Sequence, residues 1–349
     1  MRHLSAVDSV SAAIQRTKEF FFRPFSWGNY LKLGLVAIVT EGIGSNLHSS
    51  SNNGHQSGNG PMVYSPFNLN PGWIWAIAAA VLLGMVLSVF VFYLVTRLRF
   101  AFFHCLVTNS KEIGPGWRLY GAQAMRFLWL SVVVGLFFLF LAMVAAYPFV
   151  AGFVRLFHEI PPGGHPDIGS MLMLVLPLIP VILLLALLGV LADVVLRDWM
   201  LPHFALEDAT AGEAWAQVWP RMMAEKREFI TYALLRLVLP TVAIVGLFIV
   251  LVIPGLILAG SFGVIEYGIH SSFADATGGA AVAGIAIQVF FGALAFAFAL
   301  LLSICLGGPL STGVREFALV FYGGRYQLLG DLLYPPPPPV TISDMPQVV

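Results

Sequence analysis

Six apolar runs divide this chain, at roughly residues 30–47, 73–96, 127–154, 171–196, 229–260 and 280–306. The runs are continuous rather than alternating. A spanning helix needs about 20 apolar residues, whereas a barrel strand is about ten residues long with every second side chain polar. The pattern predicts an all-α fold: an integral membrane bundle of six transmembrane helices. The first run is the short one, because its apolar core at 33–39 is followed by Glu41 and two glycines. Glu41 is expected near the outer end of that helix.

The polar gaps alternate in charge. Seventeen of the eighteen Lys and Arg residues lie in or beside every second gap: the N-terminal arm through Lys32, 97–126, 197–236, and the tail with Arg315 and Arg325. The other three gaps hold only Arg155. Short loops rich in Lys and Arg stay cytoplasmic during insertion. The expected topology is therefore six crossings of the inner (cytoplasmic) membrane, with the N- and C-termini both cytoplasmic. Were the short first run not to cross, the tally would fall from 17:1 to 12:6, which is the argument for keeping it.

The polar and apolar pattern predicts a module repeated three times, at about 5–98, 112–196 and 208–314, within a single domain over 1–334. Each copy has a cytoplasmic amphipathic stretch, a span out, an external loop and a span back. In the stretch 5–22, Val7, Val10, Ile14 and Phe21 recur at helical spacing, and in 209–224 so do Trp215, Val218, Trp219, Met222 and Met223. A helix with one apolar face and basic flanks lies along the membrane interface; alternatively such a face packs on the cytoplasmic ends of the bundle. The second stretch covers about 116–127. The exits of the first two copies match locally. Arg97-Leu98-Arg99 precedes Phe103-His104 and then Trp117; Arg197-Asp198 precedes His203-Phe204 and then Trp215. Arg315-Glu316-Phe317 closes the third copy.

These motifs carry a resemblance. The run from Arg23 to Gly34 (RPFSWGNYLKLG), the Leu196-Arg197-Asp198-Trp199 exit and the stretch from Arg315 to Tyr326 resemble a family of uncharacterised bacterial multi-pass membrane proteins. That group is similar to the membrane domain fused to some glycerophosphodiester phosphodiesterases. The resemblance implies a fold and a topology, and no mechanism. No polar segment here is long enough to be a phosphodiesterase domain.

Composition agrees with the pattern. Hydrophobic residues make up 58% of the chain and charged residues 10%, where a soluble domain carries about a quarter charged. Zero net charge offers no basic face for nucleic acid. The two cysteines, Cys105 and Cys305, are far apart and read as buried apolar residues. The loop 45–70 is rich in Ser, Asn and Gly and is expected to be flexible. The tail, 335–349, is expected to be disordered, with the proline run from Pro335 to Pro339 forming a polyproline II rod that offers a partner a docking segment.

Candidate chemistry is sparse. Asp193 and Arg236 lie near the cytoplasmic ends of consecutive runs, and ionisable groups inside spans face a partner or a cavity; they are a candidate intramembrane ion pair. Arg97, Arg197 and Arg315 at the three exits are candidate contacts for lipid phosphate, with plain positive-inside anchoring as the competing account. His158, Glu159, His165 and Asp167 share one external loop but match no zinc spacing. Pro177, Pro180, Pro240 and Pro254 are expected to kink spans. No catalytic constellation, cofactor motif or metal set stands out, so no enzyme activity is expected. The expected function is a non-enzymatic membrane component that interacts with membrane lipids or scaffolds protein partners through its cytoplasmic amphipathic helices. The alternative is a transporter or permease for a neutral or lipid-like substrate, resting on the repeats and the proline-broken spans.

Overall fold

The computed structural model describes residues 4–46, 71–158, 168–273 and 278–335. The loop beyond residue 46, the tail beyond Pro335, and Glu159, His165 and Asp167 lie outside them. The described residues form helices and no strand: α1 (Ala6–Phe22), α2 (Trp27–Asn46), α3 (Pro71–Thr108), α4 (Ile113–Leu119), α5 (Gly121–His158), α6 (Ile168–Val175), α7 (Leu178–Val194), a π-helical turn (Val195–Met200), α8 (Leu201–Leu206), α9 (Ala211–Ala224), α10 (Lys226–Phe273), α11 (Gly279–Gly323) and α12 (Gln327–Leu333).

Among the described residues, five stretches are long and apolar enough to cross a membrane: Trp75–Thr108, Gly121–Leu156, Met171–Leu206, Lys226–Phe273 and Gly279–Gly323. They correspond to the second to sixth apolar runs. The first run forms α2, which is helical but falls short of that standard. The helices outlast the runs. At 1.5 Å per residue the 45 residues of α11 span about 68 Å and the 38 of α3 about 57 Å, against a hydrocarbon thickness of roughly 30 Å. Each therefore carries a shaft and an extension. Every residue of α3 from Trp75 to Val91 is exposed. In α11 the buried positions gather late, from Gly308 through Thr312 to Gly323. Exposed apolar shafts of this length suit hydrocarbon as solvent, because water-soluble monomers rarely expose patches above a few hundred Å².

The chain packs as two compact units. One comprises Met1–Phe90, Ala101–Gly116 and Arg227–Val349; the other comprises Val91–Phe100 and Trp117–Lys226.

The first unit is built on the extension of α11. α1 runs antiparallel to it: Leu4 O accepts from Arg325 Nη1 at 3.3 Å, and Thr17 lies against Gly313. The first turn of α1 leaves amide donors unsatisfied; Glu228 Oε2 of α10 accepts from Ala6 N at 2.9 Å, and Ser5 Oγ accepts from Asp8 N at 3.1 Å. The face that packs is Ser9, Ala13, Thr17, Phe20 and Phe21, whereas Val7 and Ile14 are 63% and 62% exposed. The core is an aromatic ladder. Tyr232 of α10 stacks on Phe317 and Phe321 of α11 with centroids at 4.7 and 4.4 Å, and Arg325 caps Phe321 at 4.0 Å.

α2 meets α11 at two glycines. A Cβ on Gly308 would lie 2.5 Å from Gly34 Cα, so the backbones touch. An antiparallel neighbour would step along α11 as fast as it advances. Instead Gly34 sits against Ile304 and Gly308, and Ile38 sits against Gly307. α2 is therefore not antiparallel to α11, and it packs against it over several turns. Its next turn brings Glu41 to Arg236, at 3.3 Å. Glu41 is thus a paired acid, 9% exposed at the side chain, a partner that the sequence did not indicate.

The second unit has its own ladder. Phe100 packs edge-on to Phe127, and Phe127 to Phe204, with centroids at 5.7 and 5.6 Å. The expected kink at Pro177 is a two-residue interruption between α6 and α7, with Pro177 at the N-cap in helical backbone. After α7 the helix widens: Leu201 N–H donates five residues back to Leu196 O. Pro202, which has no N–H, follows immediately. The wide turn buries four consecutive residues, Arg197, Asp198, Trp199 and Met200, where an α-helix would bury one face. α9 starts with a capping box: Glu213 Oε2 accepts from Thr210 N at 2.8 Å and Thr210 Oγ1 accepts from Glu213 N at 3.4 Å.

Candidate functional site

The first unit holds a cleft of about 390 Å³ between α1, α10 and α11. Its walls are Val10, Ile14 and Phe22 on one side and Leu239, Pro240, Ala243, Pro309, Leu310 and Val314 on the others. Thr17 also lines it, but its hydroxyl donates to Ala13 O of its own helix at 2.8 Å. Lys18 and Arg236 supply the charge. Lys18 is exposed. Arg236 is held by Glu41, with side chains 14% and 9% exposed.

Proline shapes this region by removing amide donors. Pro309 cannot donate to Cys305 O, the carbonyl four residues back. Tyr30 takes that carbonyl instead, its hydroxyl donating at 2.6 Å. Replacing Tyr30 with Phe strands the carbonyl and is expected to cost about 1–3 kcal/mol. The Tyr30→Phe penalty should shrink in a Pro309→Ala background, where residue 309 regains an N–H. A double-mutant cycle of thermal unfolding in detergent measures this, and equal penalties in both backgrounds would refute the role given to Pro309.

An aromatic collar sits at the junction of α1 and α2. Phe22 stacks on Phe25 at 5.9 Å, Phe25 meets Trp27 at 5.2 Å, and Trp27 meets Tyr30 at 6.1 Å. Trp27 is 64% exposed and Phe22 50%. Trp and Tyr are enriched at the headgroup level of membranes. Lys111 donates to the carbonyl of Pro24 in the same junction.

Asp193 and Arg236 belong to different units, and each has a partner inside its own. Asp193 pairs with Arg197 at 2.5 Å, one helical turn on, and Arg236 pairs with Glu41. The exit arginines differ in setting. Arg97 is half-buried; its Nε donates to Trp117 O at 3.1 Å, Nη1 donates to Tyr93 Oη at 3.2 Å, and the guanidinium lies 4.7 Å above the Trp117 ring. Arg197 and Arg315 are buried, 7% and 3% exposed. Each exit packs on a neighbouring short helix: Gly116 of α4 sits against Ala101 and His104 of α3, and Arg221 of α9 meets His203 of α8 at 3.3 Å.

Sequence reading missed the role of Arg16, which ties α1 to three other elements. Arg16 Nε donates to Glu316 Oε2 at 2.9 Å, Nη1 to Leu333 O at 3.1 Å and Nη2 to Leu106 O at 3.3 Å. Its only sequence signal was a basic residue inside an otherwise packing face. Cys105 and Cys305 are free thiols. Among the described residues, no group of three or more His, Cys, Asp or Glu converges as a metal site would require.

Fold and exposure define an all-helical membrane protein with five helices fit to span. A family model matches residues 4–332, and the chain belongs to that family, a family of unknown function (DUF7544). No curated protein and no solved structure matches the chain.

Proposed function

We propose that this is a six-crossing inner-membrane protein, with both termini cytoplasmic, that binds lipid or holds partners and catalyses no reaction. The convergence of basic segments in the first unit carries this reading. The N-terminal arm contacts the end of α3 through Arg16 and Leu106, the start of α10 through Ala6 and Glu228, and the close of α11 through Arg16 and Glu316. These segments share one side of the bilayer. α3 is a full-length span that ends there, so the chain between α1 and α3 must reach the far side first. This parity supports α2 as the first of the six crossings.

The exposed side chains of α9 support an interfacial position for it: Trp215 and Trp219 are 42% and 43% exposed and lie 5.3 Å apart. The matched exits, each packed on a short helix, support the threefold module. Lipid binding draws on the cleft, the collar and Arg97. The test is native mass spectrometry of the full chain released from detergent. Retained phospholipid, anionic in preference to zwitterionic, is the expected result. A folded chain that retains none would contradict lipid binding.

A further inference from the structure

We propose that the cleft between α1, α10 and α11 seats one acyl chain of a phospholipid with an anionic headgroup, whose phosphate meets Lys18 at the rim. The proposal rests on the lipid-binding reading and gives it a place and a ligand class.

The position of the cleft selects the occupant. Two of its walls, Leu239 to Ala243 and Pro309 to Val314, belong to the spanning stretches Lys226–Phe273 and Gly279–Gly323. Pro309 begins the buried extension of α11 where its exposed shaft ends, so the cleft opens at the junction of shaft and extension. A lipid reaches that junction without leaving the membrane, whereas a polar peptide would leave backbone groups unsatisfied against the apolar walls. The lining fits an alkyl chain. Ala243 and the two prolines are short, and the one wall hydroxyl, on Thr17, is already bonded to Ala13 O.

Charge selects the headgroup. Lys18 and Arg236 are the charged groups of the lining, and Glu41 holds Arg236 in place at 3.3 Å. Lys18 lies one turn before Phe22, a member of the exposed aromatic collar and of the cleft wall. The collar marks headgroup level, so the Lys18 ammonium stands where a phosphate would be. An ammonium binds phosphate as a point charge.

The experiment uses the full chain in phosphatidylcholine nanodiscs doped with phosphatidylglycerol bearing a diazirine in its acyl chain. After illumination, labelled peptides are mapped by mass spectrometry. Labelling should concentrate on residues 10–22, 239–243 and 309–317. Ala243→Phe should lower it there severalfold while leaving labelling of the exposed 81–90 shaft unchanged. Lys18→Gln should narrow the preference over an equivalent phosphatidylcholine probe. Labelling spread evenly along the shafts of the unaltered chain would overturn the proposal, and that arm does not depend on the folding of any variant. Equal labelling by the two probes would overturn the headgroup assignment. Phospholipid that survives in native spectra while the cleft stays unlabelled would remove the cleft and leave the lipid-binding reading standing; the loss of both would remove both.

Discussion

Replacing Arg16 with alanine is expected to destabilise the folded protein in detergent by about 3–5 kcal/mol, the usual penalty for breaking one side of a buried ion pair. Glu316 is 1% exposed, so its carboxylate has no water to fall back on. Two carbonyls, Leu106 O and Leu333 O, lose their donor at the same time, and Tyr334 loses the cation 5.7 Å above its ring. Arg315, next along the helix, offsets part of the charge. Arg16→Lys should recover little, because an ammonium cannot serve three acceptors in the plane of a guanidinium fork. Adding Glu316→Gln to Arg16→Ala should return part of the loss by removing the stranded charge. Thermal unfolding of the four forms measures this. Arg126→Ala is the control: its pair with Asp208 is 43% and 57% exposed, and such pairs contribute 1 kcal/mol or less. Equal effects at Arg16 and Arg126 would refute a buried tie.

Gly308→Ala is expected to cost about 3 kcal/mol, the upper end of the usual range for overpacking. The added methyl would lie 2.5 Å from Gly34 Cα, 3.2 Å from its carbonyl carbon and 3.3 Å from its oxygen. All three are backbone atoms, so no side chain can swing aside and the helices must part. Gly34→Ala should be milder, since its Cβ would meet Ile304 at 3.2 Å and Gly308 Cα at 3.6 Å. Gly84→Ala, with nothing within 4 Å, should be near neutral. Thermal unfolding in detergent gives the order. If Gly308→Ala unfolds no earlier than Gly84→Ala, the close backbone contact of α2 with α11 is wrong.

The spans were legible because hydropathy is a local property. Runs two to six reappear as α3, α5, α6 with α7, α10 and α11 at nearly their expected starts. The helix extensions were not legible, because residues such as Phe100, Phe102 and Phe103 alternate with Arg and His and a window averages them away. Their burial depends on partners on other helices, as Phe127 is for Phe100, and the tie of Arg16 to Glu316 joins residues 300 apart. The Asp193–Arg197 pair was visible at i,i+4 spacing. The Glu41–Arg236 pair was not, because it joins residues 195 apart. The small patch Gly307, Gly308 facing Gly34 was the available hint of a close helix crossing. The packing face of α1 is set by sterics: Ser9, Ala13 and Thr17 are small and allow close approach to α11, while Val7 and Ile14 of the apolar face stay exposed.

Sidedness is the claim on which the rest depends. Epitope tags on the two ends of the full chain, probed in intact spheroplasts with an impermeant reagent and again after permeabilisation, test it directly. The account predicts that both tags stay silent until the membrane is opened and then react together. Labelling of either tag in the intact spheroplasts would contradict the sorting of basic segments to one face and the six-crossing topology with it.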